Sequence, residues 1–193
     1  MTNQEVVQII DFISPVTKRV EIRELSEEAV LADLIKLGVF YLSKKFPAQF
    51  RQEQSMDKFL TALVMQPDSR IRKAFIAEIL LHPEYVQCMP SALRRLHSQD
   101  QYIMKLLNMA TVFLQQKHRA ELAVFMGKDW QDLPDLYSSE FVIALSDSPD
   151  ENLTYIGREY QFRTGEIVDW IDTCDRLVWY LVQQPEIFAK DAE

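Results

Sequence analysis

Helical structure is indicated most clearly by residues 98–116, SQDQYIMKLLNMATVFLQQ. From Tyr102 to Leu114 the apolar side chains recur every three or four positions, which is the period of an α-helix with one broad buried face. Ser98 is followed three positions later by Gln101, the pattern of a capping box, so we expect the helix to begin there. This segment predicts a long helix in the centre of a helical core.

The residues after this helix predict a break and then a short helix. Continuing the long helix further would turn Lys117 and Glu121 toward its apolar face, so we expect a break over residues 116–119. A separate helix is then expected over Ala120–Met126, with Gly127 placed to end it.

A second long helix is predicted over Ala29–Phe46. Ser26 provides a hydroxyl cap, and the acids Glu27 and Glu28 suit the positive end of the helix dipole. The side chains of this helix are apolar around more than half of its circumference. We therefore expect it to lie beside helix 102–114 in the centre of the core.

Short helices with tight corners are predicted for the rest of the chain. Five of the eight prolines directly precede an acid, and proline at the first helical position beside an acid marks a helix start. The strand-like stretch before residue 150 is Thr17–Leu25. The remaining expected helices are Val6–Ile13, one from Ser55 to Pro67, one from Asp68 to Pro83, Ala92–His97, Leu136–Leu145, Asn152–Arg163 and Thr164–Gln184.

The fold class that these elements predict is all-α. We expect one compact bundle of about seven or eight helices with short Pro-acid corners, spanning residues 1–193 as a single domain. The loop 127–134 is the one stretch that suits a subdivision. It would separate a near-neutral to basic part, 1–128, from an acidic part, 129–193.

One predicted helical hairpin has a turn with a familiar pattern. Within Met56–Leu81, this turn and the helix start after it read Pro67-Asp68-Ser69-Arg70-Ile71-Arg72-Lys73-Ala74. The run resembles the start of the second helix in a HEAT-type repeat, where an acid and an arginine sit at the turn between helices. The chain contains no second copy of this unit, so the resemblance implies no function for it.

Charge is divided unevenly along the chain. Residues 1–128 carry 17 Lys and Arg against 14 Asp and Glu, whereas residues 129–193 carry 4 against 15, a net charge of −11. Such a negative region repels duplex DNA and RNA and attracts a basic protein surface. The longest apolar runs are too short to span a membrane. We therefore expect a basic protein partner, with no membrane and no nucleic acid, and we leave homo-oligomerisation open.

Four acids recur at every third position in the last third of the chain, at Glu166, Asp169, Asp172 and Asp175. Pairs of helix carboxylates bind Mg²⁺ in some enzymes, which gives the alternative hypothesis of a Mg²⁺-dependent all-α hydrolase. A step of three residues turns about 300° around a helix, so four such acids spread over its outer half. This spread favours a partner-binding surface over a metal site.

An aromatic residue falls on the same side of this predicted helix as the acids. Trp179 lies near Asp172 and Asp175 on the helical wheel, and tryptophan among polar neighbours is typical of an interface hot spot. The other interpretation is that residues 152–162 of the same chain cover the indole. The first interpretation adds Trp179 to the expected partner-binding residues.

A set of basic residues supports a third hypothesis, association with nucleic acid. Neighbouring hairpins could bring the set together as one positive strip, but no helix-turn-helix pattern with a glycine turn accompanies it. With a strongly acidic region in the same molecule, docking or self-association by charge is favoured. The strip consists of Arg70, Arg72, Lys73, Arg94 and Arg95.

The sequence contains no motif of catalysis or cofactor binding. It has no Walker, dinucleotide-binding or Gly-x-Ser-x-Gly pattern, and its three histidines form no metal-binding pair. The two cysteines, Cys88 and Cys174, suit a reduced, cytoplasmic protein. We expect a non-enzymatic adaptor or regulatory module without cofactor or metal, whose acidic third binds a basic partner surface.

Overall fold

The computed structural model describes residues 26–39, 55–141, 145–167 and 169–183. All regular structure within these ranges is helical, so the expected all-α class is confirmed. The predicted helix Val6–Ile13 and the strand-like stretch 17–25 lie outside the described residues.

Eight α-helices pack against one another in the described ranges. They are α1 (Glu27–Lys36), α2 (Met56–Val64), α3 (Ser69–Leu81), α4 (Met89–Leu93), α5 (Ser98–Lys117), α6 (Arg119–Met126), α7 (Pro149–Thr164) and α8 (Trp170–Gln183). Three short 3₁₀ helices lie at Pro83–Cys88, Gly127–Asp129 and Ser138–Glu140. None of the helices in this part of the chain combines the length and apolarity needed to cross a bilayer.

Helix α5 lies in the centre of the bundle, packed mainly against α7 and α3. Met104, Leu107 and Leu114 on this helix are completely buried. The predicted break over 116–119 is confirmed, because α5 ends at Lys117 and α6 begins two residues later. The periodic apolar pattern therefore identified the central helix and its end.

The predicted capping box at Ser98 is wrong. His97 is the residue that precedes the helix, and its side chain makes no capping hydrogen bond. The Gln101 side chain instead donates from Nε2 to the carbonyl oxygens of Leu93 and Leu96, each 3.0 Å away. The carbonyls at the end of a helix have no partners within it, so Gln101 is recruited to the end of α4.

The predicted helix Ala29–Phe46 is not continuous, because α1 stops at Lys36. Residues 40–46 of the prediction lie outside the described residues. Gly38 adopts φ 97°, and its N–H donates to the Ile35 carbonyl at 3.2 Å. The Val39 N–H donates to the Leu34 carbonyl at 2.8 Å. These two hydrogen bonds form a Schellman motif, in which a left-handed glycine ends the helix. The N-terminal cap was predicted correctly, since the Ser26 hydroxyl accepts from the backbone of α1.

The predicted helix Leu136–Leu145 does not form in the described residues. The described part of this segment has a 3₁₀ turn, Ser138–Glu140. The Asp135 carboxylate accepts hydrogen bonds from the backbone N–H groups of Tyr137 and Ser138, at 3.3 and 3.0 Å. Such local side-chain hydrogen bonds compete with helix formation. They explain why the apolar pattern predicted a helix that does not form in the described residues.

Two other predicted helices have different bounds in the structure. The segment 164–184 is not one continuous helix, because α7 ends at Thr164, Gly165 follows it with φ 74°, and α8 starts only at Trp170. The predicted helix Asn152–Arg163 is confirmed as part of α7. The short helix expected over Ala92–His97 lies earlier, as α4, since Pro90 occupies its first turn.

Close contact between α7 and α8 depends on one glycine. A Cβ atom at Gly157 would lie 2.5 Å from Cδ1 of Trp170, so any larger residue would collide with the indole. Trp170 is 3% exposed and packs edge-on against the Tyr160 ring, with ring centres 5.0 Å apart. This contact fixes where the N-terminus of α8 lies against α7.

Candidate interaction surface

Glu166 is not part of an outward acidic face. It lies between α7 and α8 and forms an ion pair with Arg72 of α3. The Arg72 side chain, 13% exposed, also donates to the Tyr160 hydroxyl at 3.2 Å and to the carbonyls of Gln66 and Pro67, at 2.5 and 3.0 Å. Arg72 therefore links the turn before α3 to α7 and to the segment between α7 and α8, where Glu166 is its counter-charge.

Asp175 also forms ion pairs within the bundle, with 41% of its side chain exposed. Its carboxylate lies 2.8 Å from Lys117 Nζ and 2.8 Å from His118 Nε2, at the junction of α5 and α6. The same lysine lies 2.7 Å from Asp150, and His118 Nδ1 lies 3.1 Å from Glu121. Burial alone would raise the pKa of the Asp175 carboxyl, but hydrogen bonds from the lysine and histidine outweigh it and lower the pKa.

Further ion pairs join the basic part of the chain to the acidic part. Lys105 of α5 lies 2.5 Å from Glu140, and Arg119 of α6 lies 2.9 Å from Asp132. With the pairs at Arg72 and Lys117, they show that part of the charge asymmetry along the sequence is used inside the molecule. Sequence reasoning missed this because ion-pair partners in a folded chain are far apart in sequence.

An outward-facing stripe remains on α8, which we call the α8 stripe. Its members are Asp169, Asp172, Arg176, Trp179 and Tyr180, all classed as exposed. Asp169 stands directly before α8 and accepts from the backbone N–H of Asp172 at 3.1 Å, while Asp172 forms an ion pair with Arg176 one turn later. Positions 172, 176, 179 and 180 lie on one side of an α-helix.

Trp179 is the largest exposed side chain of the α8 stripe. It is 55% exposed, and its ring packs edge-on against the Tyr180 ring with centres 5.1 Å apart. The opposite side of α8 buries Cys174, Val178 and Leu181. The structure therefore brings Asp169, Asp172 and Trp179 together on the outer surface, and separates Glu166 and Asp175 from them.

The basic residues predicted as a strip have different environments. Two of the five, Arg72 and Arg95, are paired with carboxylates from other elements. Arg72 pairs with Glu166, and the Nε atom of Arg95 lies 2.6 Å from the Asp57 carboxylate. Arg70 is exposed and pairs with Asp68 at 2.6 Å. The other two are Lys73, whose pKa is lowered mainly by burial, and Arg94, which donates to Ser91 at 2.8 Å.

In the described ranges, no side chains are assembled into a site for a metal ion or for thiol chemistry. No three His, Cys, Asp or Glu side chains among these residues are grouped so that they could hold a metal ion. Cys174 is 1% exposed, and burial raises the pKa of its thiol to about 12, which keeps it protonated and unreactive. Cys88 is a partly buried free thiol.

The fold defines this chain as an all-α helical protein. No protein-family model matches it, and the searches of curated proteins and of solved structures found no match either.

Proposed function

We propose that this protein is a non-enzymatic interaction module, an adaptor or regulatory protein, whose acidic C-terminal third binds a basic segment of a partner protein. The observation that carries the proposal is the α8 stripe, in which the half-exposed Trp179 lies on the same helix face as exposed carboxylates. Exposed tryptophan is costly in water, and tryptophan at an interface contributes more binding energy than most residues.

The chemistry of the α8 stripe suits lysine and arginine side chains. Their cationic groups are attracted to the faces of tryptophan and tyrosine rings, here Trp179 and Tyr180. The Asp169 carboxylate, directly before α8, adds negative charge about three turns from Trp179, and the Asp172 carboxylate, about two turns away, is shared with the exposed Arg176 of the stripe. A basic segment lying along α8 would therefore meet an aromatic site at one end and carboxylates at the other.

Ion pairs within the chain remove Glu166 and Asp175 from the surface expected to contact the partner. Glu166 and Asp175 contribute to the acidic composition, but their carboxylates bind Arg72 and Lys117 of the same chain. We therefore assign them the role of holding α8 in place. The partner-contacting residues of the proposal are Asp169, Asp172 and Trp179.

The test uses affinity capture and a defined peptide together. Immobilised wild-type protein, Trp179→Ala, Asp172→Asn and Phe162→Ala are incubated with native lysate at low and at 1 M salt, and each is titrated with octa-arginine and with octa-glutamate. Phe162→Ala is the matched control, because Phe162 is a 79% exposed aromatic residue on α7, outside the α8 stripe.

We expect octa-arginine to bind wild type and Phe162→Ala alike, more weakly to Asp172→Asn, and about tenfold more weakly to Trp179→Ala. The captured proteins should share basic segments and elute at high salt, since charge attraction is screened there. Binding that is unchanged by 1 M salt, or equal for wild type and Trp179→Ala, would contradict the proposal.

A further inference from the structure

A groove of about 250 Å³ lies between α7 and the start of α8. One wall is a single face of α7 that includes Gly157, Arg158 and Gln161, and the other is formed by Asp169, Trp170 and Ile171. Pockets for drug-sized ligands are typically about 300–1,000 Å³. The volume of the groove therefore suits a molecule smaller than a typical drug.

The two walls of the groove carry opposite charges that do not neutralise each other. Arg158 lines the α7 wall and Asp169 lines the α8 wall, and both side chains are exposed. Among the residues that the structure describes, neither Arg158 nor Asp169 forms an ion pair. One carboxylate oxygen of Asp169 accepts a hydrogen bond from the backbone N–H of Asp172. A ligand with both a negative and a positive group would satisfy the two walls at once.

A buried donor lies beside the same groove. The indole Nε1–H of Trp170 is buried and has no hydrogen-bond partner, although buried polar groups are nearly always paired. The neighbouring ring atom, Cδ1, is the part of the indole nearest Gly157, which lines the groove. The unpaired N–H belongs to Trp170, which is itself a lining residue of the groove.

We propose that this groove binds a free α-amino acid with an aliphatic or aromatic side chain. Its carboxylate would accept hydrogen bonds from the Arg158 guanidinium and the Trp170 indole N–H, and its ammonium group would donate to Asp169. Its side chain would lie against Ile171. No covalent step is involved, and the ligand is recognised by the two opposite charges of its zwitterion.

This inference goes beyond the proposed partner binding and does not depend on it. The two sites share Asp169, but the α8 stripe extends from it toward Trp179, whereas the groove faces α7 and ends at the first residues of α8. Trp179→Ala is accordingly expected to leave amino-acid binding unchanged. Failure of one proposal therefore leaves the other standing.

The test is a titration of ¹⁵N-labelled protein with L-leucine, followed by NMR at the indole N–H signals of its three tryptophans. A Trp170→Phe variant assigns the Trp170 signal. Arg158→Gln and Asp169→Asn each remove one charge of the groove, and the asparagine keeps an oxygen that can accept from the start of α8. The matched controls are Arg163→Gln and Glu151→Gln, at exposed residues of α7 that lie outside the groove lining.

We expect the Trp170 signal to shift saturably with L-leucine. Arg158→Gln and Asp169→Asn should each weaken binding at least about tenfold, because each loses a charge-assisted hydrogen bond. The two control variants should bind as wild type does, and N-acetyl-L-leucine amide, which carries neither charge, should cause no shift. An unmoved Trp170 signal up to the solubility of leucine, or equal binding of the amide, would overturn the proposal.

Discussion

Arg72 and Glu166 lie 94 positions apart in the chain and form an ion pair that joins α3 to the turn between α7 and α8. Both side chains are largely buried, with 13% and 23% of their surfaces exposed. Arg72 also serves two backbone carbonyls and the Tyr160 hydroxyl. A single guanidinium therefore connects the turn before α3 to Tyr160 and Glu166, which lie 88 and 94 positions further along the chain.

Removing either partner of this pair is expected to destabilise the fold. Arg72→Met and Glu166→Gln should each lower the free energy of unfolding by about 2–3 kcal/mol, because the remaining group is left partly buried without its counterpart. The measurement is urea unfolding followed by circular dichroism. The double variant should lose at least about 1 kcal/mol less than the sum of the singles, and strict additivity would show that the two side chains do not interact.

Glu78 predicts an unusual pH dependence of stability. Its side chain on α3 is completely buried, neither carboxyl oxygen has a hydrogen-bond partner, and burial raises its pKa well above the usual 4.5. The folded chain therefore keeps this carboxyl protonated to a higher pH than the unfolded chain, in which it ionises near pH 4.5. Its contribution to stability is complete below that pH and is lost as the pH rises toward the raised pKa.

The substitution Glu78→Gln should remove this loss. Relative to wild type, the variant should gain stability as the pH increases above 4.5, with a slope of up to about 1.4 kcal/mol per pH unit. Unfolding by urea at several pH values between 4 and 8 measures the difference. Glu84→Gln, at a carboxylate with 53% of its side chain exposed, is the control and should show no such slope. Parallel pH profiles for wild type and Glu78→Gln would mean that Glu78 is ionised in the folded state.

Asp175 predicts a pH dependence of the opposite sign. Its lowered pKa means that the charged form contributes stability above the ordinary pKa of 3.8, and this contribution disappears as the pH falls through the lowered value. Asp175→Asn should lower the free energy of unfolding at pH 7 by about 1 kcal/mol, a modest effect because 41% of the side chain is exposed.

The comparison of thermal melts for Asp175→Asn and wild type checks this expectation. The two proteins should differ at pH 7 in low salt, and less in high salt, where the pairs with Lys117 and His118 are screened. They should become alike in strong acid, because the wild-type carboxyl is then neutral too. A difference that persists in acid would assign the effect to packing.

Gly38 distinguishes the observed end of α1 from the longer helix expected over Ala29–Phe46. With φ 97°, the position is strained for any residue with a Cβ atom, so Gly38→Ala should lower the free energy of unfolding by about 1 kcal/mol. In a continuous helix the same change would raise it by about as much, because alanine is the better helix former. The sign of the change in melting temperature therefore decides between the two.

Local features of the sequence predicted much of the helical architecture. The apolar period marked α5 as the central helix, and Asp68 after Pro67 marked the start of α3, where its carboxylate accepts from the Arg70 N–H at 2.8 Å. These features act between residues within a few positions of each other, so they can be recognised in one sequence without knowledge of the fold.

The same local reasoning failed where a short-range alternative competed with the helix. Asp135 satisfies nearby backbone groups, and Gly38 and Gly165 adopt left-handed conformations that end helices. At each of these positions the apolar period is compatible with a helix. Which conformation it adopts depends on what the following segment packs against, as Trp170 packs against Gly157 after the turn at Gly165.

By itself the sequence determined the helical class, the position of the central helix and the uneven distribution of charge. Only the tertiary structure decided which charges face outward, since Glu166 and Asp175 are bound by Arg72 and Lys117, whereas Asp169 and Asp172 are exposed. The reason is physical: helix periodicity arises between neighbours in the chain, whereas a partly buried charge is stable only beside a counter-charge that folding brings from far away.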